Sequence, residues 1–207
     1  MGVKERRALE KELRRNQILD AARKLLFETG MKAISINKIA QEAELGVGTI
    51  YFYYKNKEEI FAALQEEGLK LLYAKIENIY QNKKKPDKKL KEMGTAYLQF
   101  SEDRKDYFDI ISYFLSSSEV IFPLNLKTQI DLSGNKILSL ISSTIDDGIK
   151  AGIFKAVNSR RFSIMFWGTV HGLVQFKKLK NTILNGENHN EIYQYSIDSL
   201  IDGLYSK

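Results

Sequence analysis

"SINKIAQEAELGVGTIYFYYKNKEE", Ser35 to Glu59, is the stretch on which the fold turns. Ile36, Ile39, Ala40 and Ala43 recur at i, i+3, i+4 and i+7, so they share one face of a short helix. Ser35 precedes that helix as a good N-cap residue. A turn is expected at Glu44–Gly46, then a second short helix over Val47–Tyr53. Asn56 can cap the next helix, and Glu58 and Glu59 complement its dipole in the first turn. A capped amphipathic helix, a tight turn and another short helix make a helix-turn-helix.

The second of these helices carries more aromatic surface than it can bury. Tyr51, Phe52, Tyr53 and Tyr54 are consecutive, and consecutive helical residues point in different directions. Leu45 and Ile50 are expected to pack against Ile39 and Ala40, with Tyr54 beside them. Thr49, Tyr51, Phe52 and Tyr53 then face outward to different degrees. In a helix-turn-helix the second helix lies in the major groove of DNA. Hydroxyls of Thr49, Tyr51 and Tyr53 suit phosphate oxygens. Phe52 and Val47 suit thymine methyls or sugars, and Gly48 permits close backbone approach. Lys57 and Asn56 stand at the start of the following helix, where backbone N–H groups and an amine can share a phosphate. Ser35 is placed for another. The expected DNA contacts are therefore Ser35, Val47, Gly48, Thr49, Tyr51, Phe52, Tyr53, Asn56 and Lys57.

Working outward, the segment before this stretch reads as a helix from about Lys11 to Thr29. Ile18, Ala22, Leu25 and Leu26 form its apolar face and Gly30 its stop. Residues 1–57 hold 12 basic and 7 acidic side chains, a balance of +5 within a total of +6. Such an excess suits a polyanion partner, and on charge alone it equally suits a solvated lysine-rich surface. Arg6, Arg7, Arg14 and Arg15 are expected to form a basic arm able to reach DNA.

The motif resembles the DNA-binding domain of the TetR family of transcriptional regulators. The resemblance rests on Ile39, Ala40 and Ala43, on "GTIY" at Gly48–Tyr51, on "KNKEE" at 55–59 and on the upstream "ILDAARKLLFETG". It covers about residues 16–64. Glu44 departs from it, since the family usually has glycine there. The resemblance implies a dimeric repressor that binds a palindromic operator in double-stranded DNA. It further implies a C-terminal helical domain whose final two helices dimerise, and release from DNA by a small apolar or amphipathic effector.

Beyond residue 57 the pattern stays helical, with Pro86 and "NKKKPDKK" marking a break and only one further proline, Pro123. The expected architecture is all-α: residues 1–57 a DNA-binding domain with a basic arm, residues 58–207 a helical regulatory and dimerisation domain. Tyr97, Phe100, Phe108, Phe114, Phe122, Phe166, Trp167 and His171 are candidates to line an effector pocket. An aromatic stripe of this kind also reads as plain core. Gly168 and Gly172 on a helix apolar nearly all round, and Tyr193, Ile197, Leu200, Ile201 and Leu204 on the last helix, are candidates for the dimer surface.

Cysteine is absent, which removes disulfides, thiolate metal sites and cysteine nucleophiles. Two histidines, His171 and His189, stand in unrelated contexts, and there is no phosphate loop or paired metal-ligand spacing. A helical enzyme is disfavoured, and no cofactor or metal is expected. The charged N-terminus and the lack of a long apolar run point to a cytoplasmic protein without a membrane partner. The rival reading is an all-α protein-interaction module that does not bind DNA. Salt separates the two, because duplex binding weakens steeply as salt rises.

Overall fold

The computed structural model describes residues 2–30, 33–116 and 123–205. Phe122, one of the expected pocket residues, lies outside them. Nine helices run along the described residues: α1 Val3–Thr29, α2 Ile36–Glu42, α3 Val47–Tyr53, α4 Lys57–Gln81, α5 Pro86–Asp103, α6 Lys105–Ser116, α7 Leu124–Lys150, α8 Ser159–Phe176 and α9 His189–Asp202. No strand occurs among the described residues, only an isolated bridge between Phe154 and Tyr205. No helix among them is long and apolar enough to cross a membrane.

The chain divides into two compact units, Met1–Gly68 with Asp106–Ile130 and Leu69–Lys105 with Asp131–Lys207. Helices α4 and α7 each contribute to both. This division differs from the expected boundary at residue 57.

In the first unit, α1 begins eight residues before the expected Lys11. Residues 3–29 contain no glycine or proline, and "ALEKELRR" is made of strong helix formers. The Glu5 carboxylate also accepts the Gly2 N–H at 2.8 Å. The supposed basic arm is thus helix. Only the C-terminal half of α1 is buried, through Ile18, Ala21, Ala22, Leu25 and Leu26. Arg23 ties that half to α4 and α6. Its guanidinium stands 3.1 Å from Asp20, 3.4 Å from Glu67 and 3.6 Å from Asp106, and lies over the Tyr107 ring at 5.0 Å. Gly68 lets α6 come close, since a Cβ there would stand 2.9 Å from Tyr107 Cβ.

In the second unit α5, α8 and α9 pack on one another. Pro86 opens α5 at its first turn, where a missing N–H costs no hydrogen bond. Ile137, Ile141 and Ile145 of α7 are buried at their four-residue spacing. Asn158 and Asn188 cap α8 and α9 by accepting from Arg161 N–H and Asn190 N–H. At the α5–α9 contact, the Tyr193 hydroxyl donates to the Gly94 carbonyl at 2.9 Å, and Ile197 rests against Gly94 itself. Lys91 and Asp198 pair at 2.7 Å beside them.

This packing corrects the expected dimer surface. Tyr193, Ile197 and Leu204 are wholly buried and Ile201 nearly so, within a single chain. These side chains are taken up within the one chain, where α9 packs on α5 and α8, while Tyr195 of α9 stays 74% exposed. Leu200 is half-buried.

Candidate nucleic-acid interface

The helix-turn-helix is built upward from α1. The Ser35 hydroxyl accepts the Lys38 N–H at 3.3 Å and so caps α2, leaving Ser35 itself exposed. Ile39 and Ala40 bury α2 against α1, and the Gln17 side-chain amide donates to the Ala43 carbonyl at 2.7 Å. The chain then turns at Glu44, whose φ of 53° is left-handed. Glutamate stands here where the resembling motif has glycine, and its left-handed φ costs about 1 kcal/mol. Leu45 N–H closes the turn onto the Ala40 carbonyl at 2.9 Å.

Two anchors set the rotation of α3. Ile50 is wholly buried and Tyr54, just past its end, is 3% exposed. The Arg15 guanidinium lies over the Tyr54 ring at 5.4 Å. Burial pushes the Tyr54 phenol above its ordinary value, with Arg15 acting the other way. With those anchors fixed, Phe52 is 77% exposed, Tyr51 54% and Val47 38%. Tyr53 is half-buried and meets Phe52 edge-on at 5.1 Å, and Thr49 is half-buried. Gly48 is exposed, and a Cβ added there would meet nothing within 4 Å. Nothing in this chain requires glycine at 48.

The next helix starts as expected. The Asn56 side-chain carbonyl accepts the Glu59 N–H at 2.9 Å, and the Glu59 carboxylate accepts the Lys55 N–H at 2.8 Å. Lys57 is half-buried and forms no ion pair among the described residues. The surface so assembled offers hydroxyls, an apolar ring, open backbone and an amine. Those groups match sugar, phosphate and base edges.

The expected effector lining is divided between the two units. Phe108 and Phe114 lie on α6 in the first unit, and the other described members lie in the second. Phe100 and Phe166 are buried. A polar trio remains. The Tyr97 hydroxyl and His171 Nδ1 are 2.7 Å apart, and Trp167 stacks obliquely on His171 with ring centres 6.1 Å apart. Burial raises the Tyr97 phenol, with a hydrogen bond from Trp167 opposing it, and burial lowers the His171 imidazole. The interior therefore holds a neutral imidazole against a protonated phenol. Among the described residues no cluster of histidine, aspartate and glutamate could hold a metal ion.

On α8 the structure brings out a surface that the sequence only half showed. Ile164 and Met165 are about half exposed, Phe176 is 41% exposed, and Gly168 and Gly172 have open space where a Cβ would stand. These residues share the side of α8 opposite buried Phe166, Val170 and Val174. Their signal in the sequence was the four-residue glycine spacing within an apolar helix.

An all-α chain with α3 held in this way defines a helix-turn-helix transcriptional regulator. Residues 18–64 match the model of the bacterial regulatory proteins of the tetR family. The chain is 33% identical over 142 residues to the uncharacterised HTH-type transcriptional regulator YhgD of Bacillus subtilis, covering 69% of this chain and 72% of that one. It belongs to the TetR family. It is also 24% identical over 194 residues to the fatty acid metabolism regulator protein of Bacillus subtilis, covering 92% of this chain and 95% of that protein. Its fold is that of FadR from Bacillus subtilis, solved in complex with stearoyl-CoA, with a TM-score of 0.75 at 23% identity over 91% of this chain and 98% of that one. These relatives are regulators and not enzymes.

Proposed function

We propose that this regulator is a repressor that binds a palindromic operator as a homodimer and is released by a long-chain fatty acyl effector, such as an acyl-CoA. The observation that carries the DNA-binding half is α3. Ile50 and Tyr54 fix its rotation, leaving Tyr51, Phe52 and the open backbone at Gly48 in solvent. Ser35, Val47, Thr49, Tyr53, Asn56 and Lys57 surround them and complete the proposed contact set, with residues 1–57 as the DNA-binding segment.

A single helix-turn-helix reads few base pairs, and a two-fold dimer doubles the contact with half-sites about 34 Å apart or a multiple of it. The surface that supports dimerisation is the exposed side of α8, where Gly168 and Gly172 allow a second helix to approach closely. The effector class is supported by the acyl-CoA held by the similarly folded FadR. Tyr97, Trp167 and His171 supply polar handles in the second unit. For release, the effector must bind the DNA-free conformation more tightly, and the shift cannot exceed that preference.

The test is selection of genomic duplex fragments by the purified protein, followed by titration with stearoyl-CoA. The expected result is enrichment of an inverted repeat that the acyl-CoA releases. The double variant Tyr51→Ala, Lys57→Ala should lose that repeat while keeping its helicity and its dimer mass. Normal binding by the double variant would overturn the contact set. Failure to retain any duplex fragment would favour an interaction module instead.

A further inference from the structure

We propose that the N-terminal half of α1 is a phosphate-tracking ridge that extends the DNA contact beyond the base-reading helix. The inference rests on the DNA-binding reading above and adds a second surface to it.

Residues 3–16 are helical, yet every one of them is exposed. Nearly four turns of helix therefore bury none of their own side chains, and only Arg15 among them reaches the core, over the Tyr54 ring. Their charges are sorted by side. At 100° per residue, Lys4, Arg7, Lys11 and Arg14 recur at i, i+3, i+7 and i+10 and form one stripe. That stripe is in phase with Ile18, Ala22 and Leu25, the residues by which the same helix enters the core. Glu5 and Glu12 lie well off it, and Leu9 and Leu13 lie on the opposite side. Lys4, Arg7 and Lys11 form no ion pair among the described residues, and Arg14 reaches only the Gln17 side chain at 2.8 Å.

The members of the supposed arm thus separate into two kinds. Arg6 points away and pairs with Glu10 at 3.9 Å, and Arg15 is engaged over Tyr54. Lys4 and Lys11 join Arg7 and Arg14 in their place. The direction of the ridge follows from its inner end. There Gln17 grips the end of α2 and Arg15 covers the residue that closes α3, so the cationic side of α1 is the side of the helix-turn-helix.

The ridge is cationic, and the one carboxylate at its flank, Glu10, pairs with Arg6 on the far side, so the stripe suits an extended polyanion. Ten residues of helix rise about 15 Å, the axial rise of about four nucleotides of one strand. Its inner end meets the helix-turn-helix through Gln17 and Arg15. Duplex DNA flanking the half-site is the partner that matches it in charge, length and position. Contacts of this kind carry no sequence information but strengthen binding to every duplex.

The experiment measures binding to a mixed-sequence 40-base-pair duplex across a range of salt. The ridge variant carries Lys4→Gln, Arg7→Gln, Lys11→Gln and Arg14→Gln, which keep helix propensity. A control variant removes the same charge elsewhere, through Lys83→Gln, Lys84→Gln, Lys85→Gln and Lys88→Gln. The ridge variant should bind about tenfold or more weakly at low salt, and its slope of log K against log salt should be shallower by about 3.6, or 0.9 for each lost phosphate contact. The control should bind like the wild type. Duplex should also protect Lys4 and Lys11 of the wild type from an amine-acylating reagent, a readout that does not depend on any variant folding. A steep wild-type slope that the ridge variant retains, or equal losses in both variants, overturns the ridge and leaves the helix-turn-helix reading intact. A wild type that does not bind duplex at all overturns the reading beneath it. Loss of binding to phosphatidylglycerol vesicles with duplex binding unchanged would make the ridge a membrane-surface element and overturn the proposal.

Discussion

Helices α3 and α9 are both short and rich in tyrosine, and the molecule uses them in opposite ways. On α9, Tyr193 is wholly buried and its hydroxyl is bonded to the Gly94 carbonyl. On α3, Tyr51 is 54% exposed and neighbours the 77% exposed Phe52. The difference lies in spacing. The buried residues of α9, Tyr193, Ile197 and Ile201, recur at four-residue spacing, one stripe that a partner helix can cover, and Tyr195 falls off it. The apolar residues of α3 are consecutive, so burying one side must expose another. A helix whose apolar residues outnumber its buried positions keeps its surplus for something outside the fold.

The sharpest way to break this contrast is to truncate the two tyrosines. Tyr193→Ala empties a fully enclosed site and should cost about 3–5 kcal/mol of stability, read from denaturant unfolding. Tyr51→Ala should change stability by no more than about 0.5 kcal/mol, yet weaken operator binding by about tenfold or more. If Tyr51→Ala destabilised the chain as Tyr193→Ala does, α3 would belong to the core and its surplus would need no partner.

The glycines allow the same comparison at lower cost. A Cβ at Gly94 would stand 2.5 Å from the Ile197 side chain, 3.3 Å from the Phe166 ring and beneath α9. Gly94→Ala should destabilise by about 1–3 kcal/mol, with Ile197 absorbing part of the clash. A Cβ at Gly48 would meet nothing. Gly48→Ala should stabilise α3 by about 0.5–1 kcal/mol and still weaken DNA binding. A variant that is more stable and binds equally well would show that no backbone approaches position 48 closely.

The helix-turn-helix was legible because its signals are local. A cap at Ser35, a stripe at Ile36–Ala43 and a second cap at Asn56 all lie within two dozen residues. The second unit was harder, because an apolar stripe does not say which helix will cover it. Tyr193 and Ile197 read equally well as dimer surface or as core, and the choice was made by Gly94, about a hundred positions earlier. The Arg23–Asp106 contact is as remote. The start of α1 was missed for a different reason. Charge was read as a solvated arm, although the in-phase spacing of Lys4, Arg7, Lys11, Arg14 and Ile18 was already a helical pattern.

The turn before α3 gives a smaller test. Glu44 holds a φ of 53°, a conformation that favours glycine. Glu44→Gly should raise stability by about 0.5–1 kcal/mol net of its greater freedom when unfolded. It should leave the binding contrast between Tyr51 and Tyr193 variants unchanged, since it touches neither anchor of α3. A loss of stability would mean that the glutamate side chain, and not the backbone, holds the turn.

The smallest expected effect concerns the second unit and is visible only against pH. Burial holds the His171 imidazole below its ordinary 6.5, beside the Tyr97 hydroxyl. The unfolded chain therefore takes up that proton at a higher pH than the folded chain does. The residue's contribution is fully present above about 6.5 and is lost as pH falls through the depressed folded value. Thermal unfolding of the wild type should shift to lower temperature between pH 7 and pH 5.5, and His171→Gln, which has no proton to take up, should reduce that shift. Tyr51→Ala should leave the pH dependence as it is, because α3 lies in the other unit. An unchanged pH dependence in the His171 variant would show that the imidazole is as free to ionise as in the open chain, and that its contact with the buried Tyr97 hydroxyl does not hold it neutral.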